Sequence, residues 1–389
     1  MQYRKFGKLD WKASALGYGC MRLPLENPQE NSSIDEKEAT RLLYYAIDHG
    51  VNYVDTAYGY HGSNSERFVG RALKGGYREK VHLATKLPCW KVETEQDFDK
   101  LLNEQLGKLQ TDHIDFYLLH GLNADRWHKV RDLDVISWAE GAIADGRIRH
   151  LGFSFHDKTE VLKEIIDFYS GWTMCQVQYN YIDIENQAGT EGVKYAASKG
   201  LAVVVMEPIL GGRLVNPPDE VQALWNTALR KRKPAEWALQ WLWNQPEVTL
   251  ALSGMSAMNQ VEENIASAER SGVGSLNSDE LALVTQVRNK YQDISPIPCN
   301  KCNYCMPCPN GVNIPRVFEI YNQGLIYNQQ DGSRKAYNRW IPELERANNC
   351  IACNDCEELC PQFIKISQWM PVVHDVLGEN KPYVKNLAN

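Results

Sequence analysis

The stretch IDFYLLH, residues 114–120, is a nearly continuous apolar run that stops on a histidine. Runs of the same kind recur at SALGYGC (14–20), VNYVDT (51–56), VHLATK (81–86), IRHLGFS (148–154), MCQVQYN (174–180), LAVVVMEP (201–208) and TLALSGMS (249–256), eight in all. A strand with one wet face alternates polar and apolar residues, whereas an unbroken apolar run predicts a strand buried on both faces of a parallel sheet. Patterns of helical period lie between the runs. IDEKEATRLLYYAIDHG (34–50) gathers Leu42, Leu43, Ala46 and Ile47 on one face and stops at a glycine. DKTEVLKEIIDFYSG (157–171) repeats the design, with Asp157 as the expected cap. Eight strand–helix units predict an α/β fold, a (β/α)8 TIM barrel, rather than an open doubly wound sheet. In such a barrel the chemistry collects at the C-terminal ends of the strands. Here those ends carry Asp55, Lys86, His120, Ser154, Gln178 and Asn180.

After the last run, MNQVEENIASAER (258–270) reads as the closing helix and SDELALVTQVRNKYQ (278–292) as one more, with Ser278 as its expected cap. ISPIP (294–298) then breaks the pattern. The expected division is a barrel over 1–275, a helix and proline-containing linker over 276–298, and a cysteine-rich domain over 299–389. Of the 389 residues 43% are hydrophobic and 23% charged, as in ordinary globular proteins. A net charge of −7 gives no basic footprint for nucleic acid. No apolar run approaches the roughly 18 residues of a membrane span, and the opening MQYRKFGKLDWKAS lacks an apolar signal core. The expected location is cytoplasmic, where thiols stay reduced and clustered cysteines point to metal rather than disulfides.

Eight of the eleven cysteines lie in two runs. CIACNDCEELCP (350–361) spaces Cys350, Cys353, Cys356 and Cys360 as Cys-x2-Cys-x2-Cys-x3-Cys-Pro, the bacterial ferredoxin pattern for a [4Fe–4S] cluster. CNKCNYCMPCP (299–309) spaces Cys299, Cys302, Cys305 and Cys308 in the same way, one residue short before the last. In that pattern the fourth cysteine serves the other cluster. The expectation is therefore two [4Fe–4S] clusters, one on Cys299, Cys302, Cys305 and Cys360, the other on Cys350, Cys353, Cys356 and Cys308. Two structural zinc sites are the competing reading. The long spacer, with helices expected over 313–330 and in a segment ending at 342–349, resembles the α-helical ferredoxin type. Cys20, Cys89 and Cys175 are expected to be small buried hydrophobes.

The chemistry at the strand ends can be read from residue types. Carbonyl reduction needs a hydride on carbon and a proton on oxygen. A phenol has a pKa of about 10, and an ammonium beside it, Lys86, lowers that value. Asp55 would hold Lys86 charged and in place, His120 would bond the substrate oxygen or help move the proton, and Tyr60 would be the general acid in reduction and the base in oxidation. DTAYGY (55–60), LATK (83–86) and YLLH (117–120) together resemble the aldo/keto reductases, with NSERFVGRAL (64–73), GRIRHLGFS (146–154) and EEN (262–264) matching as well. The resemblance spans about residues 1–270. It implies Asp55, Tyr60, Lys86 and His120 as the catalytic set and a nicotinamide cofactor over the barrel mouth. By position Ser154, Gln178, Gly254, Ser256, Gln260 and Asn264 are the cofactor candidates.

Three positions depart from the family's usual pattern: Phe155 after Ser154, Met206 at the end of the seventh run, and Ser256 and Gln260 where a cation often meets the 2′-phosphate of NADP. Without that cation the phosphate lacks a charge-assisted partner, so NADH is expected beside NADPH unless Arg22 or Arg213 compensates. Tyr58, Trp90, His156 and Trp172 are candidate pocket residues. The whole resembles ferredoxin-tailed aldo/keto reductases of anaerobes, acting on a small carbonyl or alcohol and exchanging electrons with a redox partner. Hydride transfer moves two electrons and each cluster one, so direct coupling would need a converter such as FMN. The rival reading is an electron-transfer or redox-sensing protein that uses the barrel as a docking platform.

Overall fold

The computed structural model describes residues 1–299, 301, 303–360 and 362–387; the expected iron ligand Cys302 lies outside them. All eight predicted runs are strands of one closed parallel barrel. An antiparallel hairpin, β1 (Tyr3–Lys5) and β2 (Lys12–Ser14), precedes them. The barrel strands follow in chain order as β3 (Leu16–Gly19), β4 (Tyr53–Asp55), β5 (His82–Leu87), β6 (Ile114–Leu122), β7 (Ile148–Phe155), β8 (Met174–Gln178), β9 (Ala202–Met206) and β10 (Val248–Ser253). Closure is made by β10 pairing with β3.

The apolar runs are explained by burial on both faces. Val203, Val204 and Val205 of β9 have no exposure at all, since one set of side chains fills the barrel and the other meets the helices. The hairpin has no counterpart among the eight runs because it is too short and too polar to read as a strand. It brings Phe6 onto the barrel's inner core, 4.6 Å in centroid distance from Phe116, in a cluster with Tyr53, Ala84, Met174 and Leu250.

The helix Glu36–Asp48 buries Ala39, Leu42, Leu43, Ala46 and Ile47 as its pattern predicts, and Asp35 caps it by accepting from the N–H of Glu38 at 3.0 Å. Two expectations fail locally. Asp157 does not cap the helix Thr159–Phe168; its carboxylate accepts from the N–H groups of Ala124 (2.8 Å) and Lys158 (2.7 Å) and ties two loops together. Trp172 is no pocket residue: it is buried against Phe153 and Trp127, with its indole N–H donating to the Ile165 carbonyl at 2.8 Å.

The chain divides into two compact units, Met1–Gly211 with Ala235–Ser278, and Gly212–Pro234 with everything from Asp279 onward. The second therefore takes in a segment from within the barrel sequence, where the helix Asp219–Trp225 lies. Its core joins Ile297, Val317, Phe318 and Tyr321 to Trp369, Met370 and Val373, from the helices Ile314–Ile326 and Ile366–Leu377. The spacer holds Ile314–Ile326 and a second helix, Gln330–Trp340, while PELERANN (342–349) forms two short 3-10 turns. No helix among the described residues is long and apolar enough to cross a membrane.

Candidate functional site

At the end of β4 and within β5, Asp55 and Lys86 meet inside the barrel, both essentially without exposure. The Lys86 Nζ donates to Asp55 Oδ1 (2.7 Å), to Asp55 Oδ2 (2.9 Å) and to the Thr56 carbonyl (2.8 Å), and it is also hydrogen-bonded to Tyr60. Burial opposes the charge on Lys86, but Asp55 and Tyr60 outweigh it and hold the amine above its ordinary value. Gln176, from the apolar interior of β8, adds a hydrogen bond to Asp55 that no sequence pattern announced.

Tyr60 follows β4 at the head of a 3-10 turn whose next residues, His61 and Gly62, adopt left-handed conformations. The Lys86 Nζ lies 5.2 Å from its ring centroid, and His120 stands edge-on to it at 6.3 Å. Asp55, Tyr60, Lys86 and His120 thus converge on one place. Burial pushes the Tyr60 phenol up, and Lys86 pulls against it; the net direction is upward. This corrects the expectation of a lowered value: the ammonium acts as predicted, but desolvation of the phenolate is the larger effect. His120 is held well below the usual imidazole range by burial, with Lys86, His156 and Arg126 adding to it, and is neutral. Its buried Nδ1 has no hydrogen-bond partner among the described residues.

Trp90 stands 5.0 Å from the His120 ring. The Arg126 guanidinium lies 6.0 Å from the Trp90 ring and donates to the Gly121 carbonyl at 2.7 Å. Sequence reasoning passed over Arg126. The available signal was a helix arginine with no acid three or four residues away on either side. Tyr58 turns elsewhere, under Lys108 (3.8 Å to its ring) and donating to Glu104 at 3.1 Å.

The cofactor candidates separate into two sets. Ser154 Oγ accepts from the Gly121 N–H (2.7 Å), Gln178 is bonded to Gln187 (2.9 Å), and Asn264 donates to Ser253 (3.1 Å). Gly254, Ser256 and Gln260 lie exposed after β10, beside the start of the helix Met258–Glu269, whose N-cap Ala257 has no side-chain cap; the Ser256 N–H donates to Gln260 Oε1 at 2.9 Å. An uncapped helix N-terminus with a glycine and a serine beside it suits a phosphate. Arg22 packs over Gly254: a Cβ built there would stand 3.0 Å from that of Arg22. Arg213 is placed over the Tyr327 ring at 5.9 Å.

In the second unit the cysteines line two recesses. One is bounded by Cys299, Cys305 and Cys360, the other by Cys308, Cys350, Cys353 and Cys356, and Cys305 reaches the edge of both. This partition follows the crossed arrangement expected from the spacing. The two runs also share backbone geometry. Lys301 and Asn303 in the first, and Ala352 and Asn354 in the second, occupy equivalent places and are left-handed. Such turns aim successive N–H groups inward and suit an anionic centre. Burial, then Cys350, Cys305 and Cys353, push the Cys356 thiol up to about 12. Among the described residues no three His, Cys, Asp or Glu side chains are set to hold a metal ion; a cubane differs from such a site in that each thiolate takes its own iron corner. Cys20, Cys89 and Cys175 are fully buried, as expected.

Two family models match the chain. Residues 15–288 match the aldo/keto reductase family and residues 298–364 the 4Fe-4S dicluster domain. An uncharacterized oxidoreductase of Bacillus subtilis, YqkF, is 28% identical over 69% of this chain and 91% of its own length. L-galactose dehydrogenase of Arabidopsis thaliana is 24% identical over 68% and 88%. Among solved structures, the holo form of an aldo-keto reductase from Bacillus halodurans superposes with a TM-score of 0.62 at 28% identity, covering 74% of this chain and 96% of that one. An aldo-keto reductase from Klebsiella pneumoniae in complex with NADPH gives 0.60 at 23% identity, with the same coverage. The chain belongs to the aldo/keto reductase family, as an oxidoreductase that carries a 4Fe-4S dicluster domain.

Proposed function

We propose that the barrel interconverts a carbonyl and an alcohol with Tyr60 as proton donor and acceptor. The observation that carries this reading is the buried Asp55–Lys86 pair beside Tyr60, with neutral His120 edge-on to the phenol. In reduction Tyr60 gives its proton to the carbonyl oxygen, and the phenolate left behind is stabilised by Lys86, which Asp55 keeps charged. His120, neutral at pH 7, hydrogen-bonds the substrate oxygen and fixes its place. In oxidation the same phenolate takes the alcohol proton. A nicotinamide, when bound, supplies or accepts the hydride; the uncapped helix start after β10, with Gly254, Ser256 and Gln260, would hold its phosphates. Gln178, Ser154 and Asn264 would contribute only after giving up present partners. Arg22 is the cation best placed to meet an NADP phosphate, through its packing on Gly254.

The two cysteine recesses would each hold one [4Fe–4S] cluster, which when bound carries one electron at a time. Cys302, which the spacing assigns to the first, lies outside the described residues. Cys353 is exposed, which supports electron exchange with a partner protein at that recess. If the two chemistries are coupled, a converter such as FMN is required. Anaerobically purified protein tests the whole reading. NADPH or NADH oxidation with a panel of aldehydes, iron and sulfide near eight each per chain, and flavin released on denaturation are the expected results for barrel, clusters and converter respectively. No nicotinamide binding would overturn the first, stoichiometric zinc the second, and absence of flavin the third.

A further inference from the structure

We propose that Arg126 forms an anion subsite beside Tyr60 and His120, and that the preferred substrates are carbonyl compounds bearing a carboxylate. The inference rests on the carbonyl chemistry proposed for the barrel and specifies its substrate class. The subsite is built by an irregularity in β6. Its pairing with β7 shifts between Leu119 and Leu122, just past His120. Gly121 at this bulge has φ +65°, and a side chain there would begin 3.1 Å from Arg126 Nη1. Glycine both permits the turn and leaves room for the guanidinium.

Arg126 is half-buried and donates to the Gly121 carbonyl at 2.7 Å, a neutral acceptor that leaves the charge uncompensated. Among the described residues it forms no ion pair. Asp157, whose carboxylate meets the start of the helix Ala124–Asp132 that carries Arg126, accepts from the backbone N–H groups of Ala124 and Lys158. Lys86, the other buried cation nearby, is already neutralised by Asp55. The guanidinium faces the Trp90 ring at 6.0 Å, and Trp90 lies 5.0 Å from His120, so a flat apolar surface joins the charge to the reacting end. The free edge of a guanidinium matches the two oxygens of a carboxylate. A substrate lying along Trp90, with its carbonyl at Tyr60 and His120 and its carboxylate on Arg126, meets all three polar side chains.

Two measurements test the subsite. In calorimetry the wild-type protein binds benzoate about 10-fold or more tighter than benzamide, a preference that Arg126→Gln abolishes and 0.5 M salt weakens. In turnover the wild type prefers 4-carboxybenzaldehyde to benzaldehyde by about 10- to 100-fold in kcat/KM, and the ratio collapses towards one in Arg126→Gln. Arg126→Lys, which keeps the charge without the fork, retains part of both preferences. Equal binding of benzoate and benzamide by the wild type, or a preference unchanged in Arg126→Gln, overturns the proposal. If the wild type reduces no aldehyde with either nicotinamide, the carbonyl chemistry falls, and the benzoate comparison still decides the subsite.

Discussion

Tyr60 and Lys86 show how one residue's surroundings set its chemistry. Burial favours the neutral phenol, and the adjacent ammonium makes the phenolate attainable when the proton leaves. Tyr60→Phe should lower the rate of carbonyl reduction by about 10²- to 10⁴-fold, with the thermal transition unmoved; steady-state assays with paired melting curves check this. Lys86→Met is expected to act differently. Removing one partner strands the buried Asp55 carboxylate, and losing half of a buried pair costs about 3–5 kcal/mol. Activity and stability should therefore fall together, which denaturant titration would reveal. The four residues were legible because each ends or follows an apolar run. Gln176 and Arg126 were not: the first sits inside such a run, and the second gains its meaning only from what faces it.

Helices and strands were legible where one period dominates. All eight barrel strands coincide with apolar runs, because burial on both faces leaves no polar position to interrupt them. Caps and contacts between elements were less so. Asp157 has the right residue type for a cap, yet the loop around Ala124 claims its carboxylate. Trp172 follows a helix at a plausible distance from the mouth, but it packs among other aromatic residues. Close approach between elements is equally silent in sequence. In the helix Ser65–Ala72, a Cβ built on Gly70 would lie 2.5 Å from the Lys108 carbonyl oxygen of the helix Gln96–Leu109. Gly70→Ala should therefore destabilise by about 1–3 kcal/mol despite its better helix propensity, measurable as a lower denaturant midpoint.

At the scale of the molecule, pH and metal are the levers. Burial lowers the values of His61, His82, His120, His150 and His156. For each, the unfolded chain takes up a proton below about pH 6.5 while the folded chain resists it, so stability is full above that pH and falls as pH drops through it. His120 alone accounts for roughly 1 kcal/mol per pH unit. Asp55 and Glu66, raised by burial, act in the opposite sense, but the histidines outnumber them. The midpoint of barrel unfolding, followed by tryptophan fluorescence, should fall between pH 7.5 and 5.5; a rise would contradict the assignment. In the second unit Cys299, Cys305, Cys308, Cys350, Cys356 and Cys360 pack on the core that holds Phe318, Trp369 and Met370. Loss of bound iron should loosen this unit. Cys353→Ser is expected to reduce absorbance near 400 nm and raise protease sensitivity around residues 299–310 and 350–363, while the barrel remains intact.

The sequence by itself determined the barrel and the dicluster domain, and it pointed to four residues that end or follow the apolar runs and to a crossed set of cysteines. All are written in spacing: a period of burial, a polar residue closing an apolar run, and thiols with two residues between them before a proline. Only the tertiary structure decided the net direction of the Tyr60 phenol, the engagement of Ser154, Gln178 and Asn264 with neighbours, and the assignment of residues 212–234 to the second unit. It also brought Arg126 to the side of His120 through a glycine bulge in β6. These depend on desolvation and on contacts between residues far apart in the chain, quantities that fold closure creates and local pattern does not carry.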